Sequence, residues 1–424
     1  MNKRWIFLIL TLFQAVSSGL AQISIEECYE KARANYPLIR QYGLIERSRD
    51  YSLSNAGKSW LPQVQLSAKA SYQSDVTEIP LDLSRLGIPG VSIPSLSKDQ
   101  YGATLEISQN VWDGGAVGAK RRSILAKSES DEKELEVNLY AVREQVNRLF
   151  FGILLSDAMA EQNRLFQDEL QRNYDRVSAL MQNGLASQAD LDAVKVEQLK
   201  AVQSLTQIIY GRKAYLDMLS AFVGEEIGED ASLVKPAAGL PLPDGVSRPE
   251  LAMFDALAAG VDAARDEVNA SLSPRLGLFL TGGYGKPGLN MLKSDLSAYY
   301  IGGLRLTWNF GAFYTRKNSL NLLESSRHAI RVQRETFLFN TSLNRTGRES
   351  EIDKYRELLR SDDEIIALRN SVRRASEARL ENGTLTAIDL MRDMSVEQMA
   401  RQDKILHEIE MLQAVYNLKF ITNN

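Results

Sequence analysis

The eleven prolines of this 424-residue chain stand at 37, 62, 80, 89, 94, 236, 241, 243, 249, 274 and 287. None falls in 95–235 and none in 288–424. A proline inside a helix costs about 3 kcal/mol, because it lacks the N–H of the ladder and its ring meets the preceding turn. Two such tracts permit very long helices, and the apolar period agrees. Leu135, Leu139, Val142, Val146, Leu149 and Ile153 step alternately by four and three residues. Leu191, Val194, Ala201, Leu205, Ile208 and Leu219 keep the same frame, as do Ile405, Ile409, Leu412, Tyr416 and Lys419. Apolar residues every 3.5 positions are coiled-coil spacing.

The chain also repeats itself. Asn183-Gly184-Leu185-Ala186-Ser187-Gln188-Ala189-Asp190-Leu191 matches the stretch from Asn382 to Leu390 at an offset of 199, and Tyr101–Ile107 matches Tyr300–Leu306 at the same offset. Pro37, Pro62 and Tyr72 match Pro249, Pro274 and Tyr284 at 212, so an insertion of 13 residues between Tyr72 and Tyr101 reconciles the two. Two copies of one unit are expected, 22–224 and 248–424, joined by a linker at 225–247. Each unit reads as an N-terminal helix, two strands, a long helix and a shorter helix. The strands are expected near 61–73, 101–112, 274–285 and 299–310, the long helices near 115–182 and 316–381, and the shorter ones near 187–222 and 386–419. Asn183-Gly184 and Asn382-Gly383 supply the left-handed residue of a helix C-cap. Ser187 and Thr386 then read as N-caps, with Asp190 and Asp389 at the third helical position.

The strands alternate strictly. Val64, Leu66, Ala68, Ala70 and Tyr72 are interleaved with Gln63, Gln65, Ser67, Lys69 and Ser71, and the other three strands show the same period of two. About ten residues with one apolar and one polar face suit a transmembrane β-barrel, and Trp60, Tyr72, Tyr101, Trp112, Tyr284, Tyr300 and Trp308 at the strand ends suit interfacial belts. A water-soluble sandwich alternates too, and the pattern alone leaves both open. Four strands cannot close a barrel, and open edges cannot face lipid. In a membrane the strands of other copies must complete the sheet: two chains give eight strands, three give twelve. Lys69, Glu106 and Arg305 would then line water.

The first 21 residues read as a secretory signal. Lys3 and Arg4 precede nine apolar residues, Trp5–Phe13, and Gly19-Leu20-Ala21 offers a cleavage site after Ala21. Nine residues are too few to span a bilayer as a helix. The single cysteine, Cys28, excludes a disulfide framework or a multi-cysteine metal site and lacks a lipobox before it. With 50 basic and 54 acidic residues, and two histidines, His328 and His407, outside any serine–acid or metal-ligand pattern, nucleic-acid binding, enzymatic chemistry and a cofactor are not expected.

The doubled strand–strand–helix–helix order, the strand entries Pro62-Gln63-Val64 and Pro274-Arg275-Leu276, the exit Asn110-Val111-Trp112-Asp113-Gly114-Gly115 and the two Asn-Gly…Asp-Leu turns resemble the TolC-like outer-membrane efflux proteins. The resemblance covers essentially the whole chain after the leader. It implies a mixed α/β membrane protein of the cell outer membrane: a homotrimer with a 12-stranded transmembrane β-barrel, four strands per chain, continued by a long periplasmic α-helical coiled-coil barrel. It implies a duct that takes small molecules or proteins from an inner-membrane transporter and a periplasmic adaptor to the exterior. The adaptor would dock at the tip turns Asn183, Gly184, Asn382 and Gly383. In the family a ring of aspartates after the second turn lines the periplasmic gate; Asp389 holds that place, Asp190 is its partner in the first repeat, and Asp393 is a neighbour. Arg392 stands where members often carry a second acid, and Leu380 and Leu385 replace a tyrosine and an arginine that lock the gate. Both aspartates also serve as helix caps. The loop 73–100 should be extracellular. The alternative is a periplasmic coiled-coil adaptor or scaffold that never inserts, which would leave the four alternating strands unexplained.

Overall fold

The structure is a computed structural model that describes residues 22–76, 96–239, 245–291 and 293–423. The leader, the prolines at 80, 89 and 94 of the long loop, and Pro241 and Pro243 of the linker lie outside the described residues. In chain order the elements are α1 (Ile25–Asn35), α2 (Gln41–Gly57), β1 (Gln63–Tyr72), β2 (Asp99–Trp112), α3 (Ala116–Tyr140), α4 (Val142–Gln182), α5 (Gln188–Val223), α6 (Pro249–Ala270), β3 (Arg275–Lys286), β4 (Ser297–Thr307), α7 (Ala312–Glu381) and α8 (Ala387–Thr422). Among the described residues no helix is long and apolar enough to cross a membrane. They form two compact units.

The first unit comprises residues up to Gln41, Glu134–Leu251 and Arg334 onward. Its helices α4, α5 and α8 bury one face each, and the coiled-coil positions Val142, Val146, Leu149 and Ile153 lie at 0–6% exposure in the larger core, together with Phe150, Phe151, Leu219 and Val415. A second core, Phe166, Leu170, Val177, Leu191, Val194, Leu390 and Met394, lies toward the helix-hairpin ends. Ser24 caps α1 by accepting from the Glu27 N–H, and Asn35 closes the end of α5 by donating to the Ala221 and Phe222 carbonyls.

One expected helix, 115–182, is two. Residue 141 separates α3 from α4, where the Glu144 N–H reaches the Ala141 carbonyl three residues back, a 3₁₀-type tightening. Neither proline nor glycine marks it. At that point Tyr140 stacks on Phe420 of α8 at 5.0 Å, and its hydroxyl donates to the Phe420 carbonyl at 2.7 Å, so a tertiary anchor coincides with the break.

The second unit, Tyr42–Lys133 and Ala252–Gln333, holds a four-stranded sheet. Its strands run in the order β1-β2-β3-β4, each antiparallel to its neighbour, so β1 and β4 are edges.

Candidate functional site: a two-faced sheet and two helix-hairpin ends

The register sorts every strand residue onto one of two faces. Leu66 pairs with Leu105, Val64 with Ile107, Ile107 with Leu280, Ala103 with Tyr284, Leu276 with Leu306 and Leu278 with Leu304. This face is apolar across all four strands except for Gln109, and for Asp99 and Lys286 at the hairpin-loop end. Its side chains are open: Leu66 is 74% exposed, Leu304 69% and Tyr300 80%. So large an apolar surface needs a cover.

Two aromatic rows bound it. Tyr72, Tyr101, Tyr284 and Tyr300 lie toward the hairpin loops, and Trp112, with Trp308 just past β4, lies toward the helices. From Tyr101 to Trp112 a strand covers about 36 Å, which a tilt of about 40° reduces to about 28 Å, close to the apolar band of outer-membrane barrels. A β-bulge between Asn110 and Trp112 makes the rows consistent. Strict alternation would turn Trp112 to the polar face; the extra residue brings it opposite Leu276, on the apolar one.

The other face carries Gln65, Lys69, Thr104, Glu106, Ser108, Thr281 and Arg305, along with Arg275. Arg305, paired in register with Gly277, donates to Glu106 of β2 at 3.1 Å. It also lies 4.6 Å from the ring centroid of Phe279 on the same face. Phe279 thus breaks the polar pattern with a partner at hand, and Tyr299 and Ile301 of β4 break it as well. Of the three expected lumen residues, the structure joins Glu106 to Arg305; Lys69 stands apart, paired in register with Gly102.

Where β2 leaves the sheet, Asp113 is 6% exposed. One carboxylate oxygen accepts from the Gly115 N–H at 2.9 Å and the other from the Val117 N–H at 2.6 Å, capping α3. Asn309 makes the shorter version of this turn, accepting from the Gly311 N–H at 3.0 Å.

The first unit carries both helix-hairpin ends. Gly184 (φ 72°) and Gly383 (φ 69°) are left-handed, and the N–H groups of Leu185 and Thr384 reach back to the carbonyls of Leu180 and Arg379. Asn183 and Asn382 each donate a side-chain bond to the carbonyl four residues back, at 2.9 and 2.8 Å. After the first turn, Ser187 and Asp190 form a reciprocal capping box. The Ser187 hydroxyl and backbone N–H, aided by the Ala387 N–H of α8, hold the Asp190 carboxyl below its usual range.

Asp389 accepts from the Thr386 hydroxyl at 2.9 Å, and its second oxygen lies 3.6 Å from Arg392. Its side chain is 39% exposed. Asp393 points elsewhere, accepting from Ser376 of α7 at 2.6 Å. Leu380 and Leu385 pack on the core at this end, so neither position holds a polar lock.

Sequence reasoning missed Glu397. It is buried on α8 and accepts from Asn370 at 3.1 Å, Arg373 at 2.6 Å and Arg401 at 2.5 Å. Burial raises its pKa, but the bonds from Arg401, Asn370 and Arg373 outweigh that and leave the acid below its ordinary value. The i, i+4 spacing to Arg401 is the one local signal; the partners on α7 lie 24 and 27 residues away.

The family model described as "outer membrane efflux protein" matches residues 28–225. The fold of the whole chain agrees. The outer-membrane channel OprN is similar, with 15% identity over 94% of this chain and 89% of that one, at a TM-score of 0.69. VceC of Vibrio cholerae, an outer membrane protein, shares 13% identity over 94% and 96% of the two chains, at 0.65. The outer membrane channel MtrE of Neisseria gonorrhoeae, solved in its open state, shares 14% over 94% and 89%, at 0.65. At such identities the likeness is one of fold. No curated protein matches the sequence.

The family match spans 198 of the 424 residues, and across the rest of the chain the likeness is one of fold.

Proposed function

We propose that three copies of this chain close a 12-stranded barrel and form the outer-membrane duct of a tripartite export system. An inner-membrane transporter and a periplasmic adaptor would deliver small molecules or proteins to it. The observation that carries this reading is the four-stranded sheet with one apolar face, one polar face and two edges, β1 and β4. In lipid an unpaired edge costs several kcal/mol per group, so β1 of one copy must meet β4 of the next. Three copies close the ring at a size that leaves an aqueous lumen. The recurrence of strand, strand, long helix and shorter helix in both halves supports an internal duplication.

The two capped turns at Asn183-Gly184 and Asn382-Gly383 are the surface on which the adaptor docks. Asp389 is the gate carboxylate. Arg392, 3.6 Å away, offsets its charge, so a ring of three is less acidic than three bare aspartates. Asp190 and Asp393 serve the hairpin end through Ser187 and Ser376.

The mass of the detergent-extracted particle, corrected for detergent by light scattering, tests the assembly. Three chain masses are expected. A monomer or dimer that needs no detergent would reject the duct and leave a periplasmic scaffold. In planar bilayers Asp389→Asn should alter cation selectivity or blockage; unchanged behaviour would leave Asp389 its capping role alone.

A further inference from the structure

The charges on the polar face do not balance. Among the described strand residues that face carries three cations, Lys69, Arg275 and Arg305, and one carboxylate, Glu106. Glu106 is already matched, since Arg305 holds it at 3.1 Å while lying over Phe279. Lys69 and Arg275 remain, one near the hairpin loops and one at the helix end, so the excess is spread along the passage. Two acids lie near Arg275. Arg275 lines a cavity of about 400 Å³ with Asp113, Lys120 and Glu267. Asp113 is committed to the backbone of α3, and Glu267 lies 3.8 Å from Lys120. Glycines surround Lys69 on this face: Gly102 beside it, and Gly283 and Gly285 on the neighbouring strand. The Tyr299 ring of β4 lies over Gly283, and Lys69 itself is exposed.

From this placement we infer that the barrel portion of the duct is an electropositive passage that favours anionic cargo, with Lys69 and Arg275 as its selectivity-determining charges. The inference rests on the trimeric duct reading and adds the chemical class of what passes. A wall with one sign of charge in a low-dielectric frame raises the local concentration of counter-ions, and does so more as salt is lowered. Lys69 and Arg275 act on any permeating anion by charge. Arg305, held by Glu106 and Phe279, adds a guanidinium whose free N–H groups suit carboxylate, sulfonate or phosphate groups.

The test uses the full-length protein in planar bilayers under a tenfold potassium chloride gradient at low salt, in the Asp389→Asn background, so that the periplasmic acid does not set the sign. The reversal potential should then show chloride preference. Adding Lys69→Gln and Arg275→Gln should lower the chloride-to-potassium permeability ratio by about threefold or more, an effect that weakens at 1 M salt. Potassium preference in the Asp389→Asn background, or an unchanged ratio in the triple variant, would overturn the inference while leaving the conducting trimer intact. A particle that is not a trimer and does not conduct would overturn the duct reading, and this inference with it.

Discussion

The two faces of the sheet make opposite demands on a single side chain, and adjacent positions on β2 can be set against each other. Ile107 lies midway between the tyrosine and tryptophan rows, between Val64 and Leu280 on the apolar face. Ser108, the next residue, lies between Gln63 and Phe279 on the polar face. A lysine facing lipid at the bilayer midplane costs about 2–4 kcal/mol in an outer-membrane barrel. In the proposed barrel Ile107→Lys should cost that much per chain, so about 6–12 kcal/mol in a ring of three, comparable with the whole stability of a domain. Ser108→Lys, facing water, should stay within about 1 kcal/mol. The assay is urea unfolding of the lipid-reconstituted protein, followed by tryptophan fluorescence. Three of the four tryptophans, Trp60, Trp112 and Trp308, lie at the sheet's helix end and report its loss. Equal losses for the two lysines, or an unshifted midpoint for Ile107→Lys, would refute the assignment of faces.

Other consequences follow from single positions. A Cβ on Gly114 would lie 2.4 Å from the Ser273 Cβ and 2.9 Å from the Pro274 carbonyl, at φ 66°. Gly114→Ala should therefore cost well over the roughly 1–2 kcal/mol of left-handed backbone alone, and Gly115→Ala, with open space around it, only about that amount, by urea titration. Because the Asp190 carboxyl is held below its usual range, its contribution to stability is complete above the ordinary value of 3.8 and is lost as pH falls through the lower folded value. Amide exchange in the first turn of α5 should accelerate in that acidic window, and Asp190→Asn should flatten the dependence. Glu397→Gln leaves Arg373 and Arg401 facing a neutral group and should cost about 3–5 kcal/mol in thermal unfolding, as does removal of one partner from other buried ion pairs.

What could be read from the residues was what depends on near neighbours. Alternation marked the faces of β1 because each side chain there obeys a period of two without interruption. The Asn-Gly turns and the Ser187–Asp190 box were legible because caps are local chemistry. Three features were not. The bulge before Trp112 leaves no trace in a hydrophobic pattern that continues through Val111 and Trp112. The interruption at residue 141 is associated with Tyr140 and Phe420, 280 residues apart. The buried Glu397 looks like any helix-surface glutamate until Asn370 and Arg373 come to it from α7. At the candidate gate the order of residues located Asp389, but its pairing with Arg392 and the departure of Asp393 toward Ser376 depend on rotamers.

The sheet's two open edges bear on inheritance. In the proposed ring of three, a chain whose β1 or β4 can no longer pair spoils every ring it enters, because a closed ring tolerates no faulty joint. Where half the chains in a cell carry such a lesion, about one ring of three in eight would be free of it. Edge lesions should then behave as dominant in mixed populations. A lesion that stops a chain from folding removes it from assembly altogether and should remain recessive.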